Sequence, residues 1–177
     1  MPAKPPPPPA QILARVTRTA VFNGRLQFGA GVAMALVNAL NQVGSGAILG
    51  CLISGAGALQ LHGRTQLHAG DYLGHRWLIR SQLLLLGAVF IFCAVQMGRF
   101  DPALVEQIEF TAKQTAALEQ ANLTKEQAVH GAYILGLVLL GLFSLLYQGA
   151  LALYYWLKRE AVARALTGDD AGELTLH

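Results

Sequence analysis

The segment LQFGAGVAMALVNALNQVGSGAILGCLISGAGALQLHG, residues 26–63, contains 38 residues without an Asp, Glu, Lys or Arg. One helix of that length would extend about 57 Å, nearly twice the hydrocarbon thickness of a bilayer. The polar, glycine-rich stretch NQVGSG at residues 41–46 can make a tight turn in its middle. We therefore predict a hairpin of two spans over residues 26–41 and 46–62. Both halves are short for a span, so a re-entrant hairpin, with three spans in total, is the alternative.

Two further uncharged runs, residues 81–98 and 127–157, are 18 and 31 residues long. They predict spans over residues 78–98 and 131–157. Charged residues make up 13% of the chain, well below the roughly 25% of soluble domains. These observations predict an all-α integral membrane protein, a four-helix transmembrane bundle whose membrane domain occupies residues 26–164.

The segments outside the spans differ in character. Residues 1–10 form a proline-rich tail, which is expected to be extended, and residues 165–177 form a polar tail, which is expected to be disordered. Residues 11–25 carry apolar residues at helical spacing together with arginines. They predict a basic helix at the membrane interface, with a soluble extension of the first span as the alternative. Residues 102–120 alternate apolar and charged positions and predict an extramembrane amphipathic helix.

The distribution of Lys and Arg distinguishes four spans from three, because these residues concentrate near span ends on the cytoplasmic side. Four spans with the N-terminus inside place ten of the 13 basic residues inside and three outside. Three spans give six inside and seven outside. Four spans are therefore favoured, with both termini in the cytoplasm and the 102–120 helix on the outer face of a bacterial-type inner membrane.

Small residues recur every four positions in both halves of the hairpin, a pattern that lets helix backbones approach closely in lipid. Packing within one chain is the favoured interpretation, and a dimerisation face is the alternative. These predicted packing residues are Gly31, Ala35, Ala39, Gly46, Gly50, Ser54 and Ala58.

Apart from Arg80, near the start of the third, the proposed spans contain no Asp, Glu, Lys or Arg, although ion-coupled transport usually needs such groups inside the membrane. They do contain amides, which most often hydrogen-bond between helices. Four of them, Asn38, Gln60, Gln82 and Gln148, are candidates for a polar path through the bundle.

The predicted inner loop contains His62, His68, Asp71 and His75, residue types that bind divalent metals. Their spacing matches no tight ligand pattern. The favoured interpretation is a polar connector whose neighbouring arginines meet anionic lipid head groups. A metal site formed by these four residues is the alternative, and no cofactor is predicted.

The sequence contains none of the main catalytic motifs and no dense basic cluster of the kind that binds nucleic acid. We therefore expect no enzyme. The expected function is that of a structural or accessory membrane protein that acts through helix packing and a membrane-protein partner or a second copy of itself. A minimal oligomeric channel or transporter, with the four amides lining its path, is the second hypothesis.

Overall fold

The computed structural model of the protein describes residues 7–168, in which every regular element is a helix. The helices are α1 (Pro9–Leu40), α2 (Gly44–His68), α3 (Leu73–Met97), α4 (Ala103–Gln107), α5 (Ala112–Gln120) and α6 (Lys125–Thr167). Of these, α1, α2, α3 and α6 are long and apolar enough to cross a membrane. The proline-rich tail lies largely, and the polar tail mostly, outside the described residues.

The chain divides into two compact units. The first comprises the described residues up to Ala88 together with those from Leu145 onward, and the second is Val89–Ser144. The first unit contains α1, α2, the beginning of α3 and the end of α6. The second contains the remainder of α3 and α6 together with α4 and α5.

Helix α1 is continuous from Pro9 to Leu40, which agrees with the alternative that the basic segment extends the first span and not with a separate surface helix. Pro9 stands at the start of the helix, where its missing N–H costs no hydrogen bond. No proline follows until the helix ends, and Gly24 is helical and buried, so nothing interrupts the backbone hydrogen bonds at the predicted boundary. The basic segment and the first apolar segment therefore form one helix.

The turn between α1 and α2 comprises residues 41–43, within the polar stretch that the sequence identified. Gln42 adopts a left-handed backbone conformation with φ of 58°, and the Val43 N–H donates to the Asn38 carbonyl at 2.8 Å. Two long helices thus replace the two short halves of the predicted hairpin. Each is longer than a single hydrocarbon crossing requires.

The turn between α2 and α3 is held by a glycine and an aspartate. Gly70 has φ of +82°, a conformation that side chains disfavour. The Asp71 carboxylate accepts a hydrogen bond from the Leu73 N–H at 2.8 Å, at the first turn of α3. Asp71 therefore satisfies a helix-start amide, which is a structural use of this side chain.

The predicted helix over residues 102–120 is two short helices separated by residues 108–111. The second begins with a capping box, in which Thr111 and Gln114 satisfy each other's backbone N–H groups. The same arrangement, between Thr124 and Gln127, begins α6. The alternating pattern predicted one continuous helix. The cap at Thr111 starts a second helix instead.

Buried apolar side chains of the first unit meet in one cluster: Val16, Ala20, Leu67, Leu78, Tyr155 and Val162. They come from α1, α2, α3 and α6, so this cluster holds all four long helices together in that unit. Many large apolar side chains elsewhere on these helices are exposed, among them Leu36, Ile48 and Phe143. Such a surface fits hydrocarbon rather than water.

Candidate functional site

A buried polar network lies inside the first unit and joins its four long helices. Gln60 of α2 is at its centre: its side-chain oxygen accepts from Asn23 Nδ2 of α1 at 3.1 Å and from Gln82 Nε2 of α3 at 3.2 Å. Its amide nitrogen donates to the Tyr155 hydroxyl of α6 at 2.8 Å. The Tyr147 hydroxyl, also on α6, donates to Asn23 Oδ1 at 3.0 Å. We call these five residues the amide–tyrosine network.

Four of the five members of the network are almost entirely excluded from solvent, whereas Tyr147 is 40% exposed. Gln60, Gln82 and Tyr155 are 0% exposed, and Asn23 is 2% exposed. A buried amide without a partner costs roughly 1–3 kcal/mol, so mutual satisfaction is what makes these polar groups compatible with the interior. The bonds also fix the relative positions of the four helices, because each helix contributes at least one member.

Some buried amide atoms within the network and next to it have no hydrogen-bond partner among the described residues. These atoms are the side-chain oxygen and nitrogen of Gln27 and the side-chain oxygen of Gln82, and all three are buried. Gln27 lies four residues after Asn23 on α1, and therefore on the same face of that helix. The polar interior of the first unit thus extends beyond the bonded residues by one helical turn.

The structure separates the four amides predicted to line a path. Gln60 and Gln82 lie in the network and hydrogen-bond to each other. Asn38 is half-buried and donates to the Met34 carbonyl of its own helix at 2.8 Å. Gln148 is buried on α6, next to Tyr147 in the sequence. The amides that are brought together are therefore bonded to one another and to tyrosines.

Asn23, Tyr147 and Tyr155 are members of this site that were not predicted from the sequence. Asn23 was assigned to the basic surface segment. Its four-residue spacing from Gln27, which places both amides on one helix face, was the available signal. Tyr155 was assigned only to the last predicted span, residues 131–157. Its eight-residue spacing from Tyr147, which places both on one helix face, was the available signal.

Small residues bring α1 and α2 into backbone contact. A Cβ added to Gly31 would lie closer than 3.0 Å to the Gly50 carbonyl and the Ser54 backbone, and one added to Gly50 would meet the Ala35 backbone in the same way. These four predicted packing residues therefore lie at one contact. Gly46 is also buried, against the Asn38 side chain. Ala39 and Ala58 are exposed.

The close contact extends further than the predicted ladder. Gly57 of α2 packs against the backbone of Gly24 and Phe28 of α1, so α1 and α2 stay close for several turns. A second contact joins α2 to α3, where Gly63 and Gly74 face each other's backbone. Gly74 is in the polar connector of the sequence, and Gly63 is the last residue of the first uncharged run, just beyond the predicted span 46–62.

The four candidate metal ligands have separate surroundings. His62 is within 3.0 Å of the Gln66 amide and packs edge-on against Trp77. His75 is buried and stacks on Tyr72 with ring centroids 5.7 Å apart. Asp71 caps α3, and His68 is exposed. Residues 7–168 contain no group of three His, Cys, Asp or Glu side chains placed to hold a metal ion.

No protein-family model, curated protein or solved structure matches this chain.

Proposed function

We propose that this protein is a structural or accessory protein of a bacterial-type inner membrane, with four spans and both termini in the cytoplasm. The observation that carries the proposal is the amide–tyrosine network. Its buried amides bond to one another and to two tyrosines, so they hold the helices together. A path for ions or solutes would need such groups to face a water-filled space.

The segment that contains α4 and α5 is the proposed contact with a partner. No residue of α5 is buried, and the apolar Ile108 and Leu123 beside it are 39% and 47% exposed. The described side chains of α4 and α5 are half-buried or exposed, yet α5 is capped at its start. A preformed helix loses less conformational entropy on binding, which favours its use as a recognition element.

Site-specific photo-crosslinking tests the proposed partner. A photoreactive amino acid at Ala117, on exposed α5, is expected to give a discrete adduct in intact cells. The same group at Ala30, on the exposed apolar face of α1, is the control and is expected to give none. An adduct of twice the chain mass would identify the partner as a second copy.

Two results would contradict the proposal. One is the absence of any discrete adduct from several α5 positions. The other is uptake of ions or cationic dyes by proteoliposomes that contain the purified protein, which would favour the channel or transporter hypothesis. The buried Gln27, whose amide has no partner among residues 7–168, is the observation that favours this second function.

A further inference from the structure

An open crevice of about 1010 Å³ in the first unit is lined by α1, the end of α2 and the end of α6. Three arginines line it: Arg18 and Arg25 from α1, and Arg64 from α2. None of its lining residues is acidic. The crevice therefore carries a concentrated positive charge that no carboxylate of its own lining offsets.

The arginines are available to a ligand. Within residues 7–168 none of the three forms an ion pair. Arg18 and Arg25 are exposed, whereas Arg64 is half-buried and its Nε is enclosed without a hydrogen-bond partner. An enclosed guanidinium N–H without an acceptor is costly, and a phosphate oxygen in the crevice would supply one.

The helix register explains why the three arginines converge. Gly57 of α2 packs against Gly24 of α1, and Gly50 packs against Gly31, so the two helices run antiparallel. Continuing this register by two turns places Arg64 beside the part of α1 that contains Arg18. Arg25 lies two turns further along α1, nearer to the apolar segment.

The remainder of the lining is largely apolar and includes Leu13, Phe22, Leu26 and Leu166. Phe22 and Leu26 are 70% and 56% exposed. A free phosphate ion would leave these side chains uncovered, whereas an acyl chain would cover them. The combination of guanidinium groups and apolar side chains matches a molecule with an anionic head and a hydrocarbon tail.

We propose that this crevice binds one anionic phospholipid, with its phosphate between Arg18, Arg25 and Arg64 and an acyl chain along Phe22 and Leu26. The lipid would fasten the basic end of α1 to the ends of α2 and α6. The proposal is independent of the accessory function, because it concerns a different surface and a different ligand.

The test compares lipid retention by two variants with the same change of net charge. The protein is purified in mild detergent, supplied with equal amounts of phosphatidylglycerol and phosphatidylcholine, and analysed by native mass spectrometry. The variant R18Q/R25Q/R64Q removes the crevice arginines. The variant R15Q/R76Q/R80Q removes three arginines that do not line the crevice.

The wild-type protein is expected to retain one phosphatidylglycerol in preference to phosphatidylcholine. The crevice variant is expected to lose at least tenfold in this affinity, since each arginine near an anionic head group contributes a factor of about five. The control variant is expected to change it less than threefold. Helix content by circular dichroism checks folding, and R18Q/R25Q, which changes only exposed side chains, serves if Arg64 proves necessary for folding.

Several outcomes would overturn the proposal. Equal retention of both lipids would show ordinary boundary lipid, and equal losses in the two triple variants would show a general effect of surface charge. Displacement of the lipid by millimolar inorganic phosphate would show a phosphate site. Stronger retention in D169N/D170N/E173Q would show that the acidic C-terminal segment is the native occupant.

Discussion

Replacing Gln60 with Met is expected to lower the free energy of unfolding by about 2–4 kcal/mol, measured by titration with a denaturing detergent in mixed micelles. Methionine preserves the length of the side chain but removes three hydrogen bonds, to Asn23, Gln82 and Tyr155. Hydrogen bonds between membrane helices contribute on average about 0.6 and at most about 1.7 kcal/mol each. The partners that remain buried without a bond add a further cost.

Gln96→Met is the matched control for this variant. It makes the same chemical change on α3, but the Gln96 side chain is half-buried and forms no hydrogen bond with the described residues. We expect a change within about 0.5 kcal/mol, as for surface substitutions. Equal effects of Q60M and Q96M would show that the network does not stabilise the helices.

A double-mutant cycle with Tyr155→Phe tests whether Gln60 acts through its bond to α6. Tyr155→Phe removes only the hydroxyl that accepts from Gln60. Because the two residues share this bond, the effects of Q60M and Y155F are expected to be less than additive. Strict additivity would mean that the hydrogen bond contributes nothing.

Replacing Gly50 with Ala is expected to destabilise the protein by about 1–3 kcal/mol, the usual cost of overpacking. The added methyl group would lie closer than 3.0 Å to the backbone of Gly31 and Ala35. Backbone cannot rotate away as a flexible side chain can, so α1 and α2 would have to separate. The same titration measures the loss.

Gly55→Ala separates this effect from helix propensity. Gly55 lies on α2 only five residues further along, and a Cβ there would meet nothing within 4 Å. Alanine favours a helix over glycine by about 0.5–1 kcal/mol, so G55A is expected to leave stability unchanged or to raise it. Loss of stability in G55A as large as in G50A would contradict the proposed close contact.

The helical class and the four long apolar helices could be predicted from the sequence, because uncharged runs and a polar glycine-rich turn depend only on local composition. The residues at which these helices begin and end could not all be predicted. The first helix includes the basic segment before Leu26 because nothing in the backbone interrupts it there. The predicted helix over residues 102–120 is divided because Thr111 caps a new helix, which the alternation of apolar residues in the sequence does not reveal.

The candidate site was less accessible to sequence analysis, because its members are far apart in the chain. Gln60 and Gln82 could be identified as polar residues in apolar runs. Their tyrosine partner Tyr155 lies 95 residues after Gln60, and only the packing of α6 against α2 brings them together. The same applies to Arg64, whose proximity to Arg18 follows from the register of α1 and α2.

Topology is the most direct test of the central claim that four helices cross the membrane with both termini inside. Single cysteines at Gln11, Ala69, Thr115 and Thr167, all exposed, are introduced into a variant without Cys51 and Cys93. Intact cells are then treated with a membrane-impermeant thiol reagent. The account predicts labelling of Thr115→Cys alone before the cells are opened, and of all four sites afterwards. Labelling of Gln11→Cys in intact cells would contradict it, because the N-terminus would then lie outside. If Ala69→Cys stayed unlabelled in the same cells, the first hairpin would not cross the membrane twice.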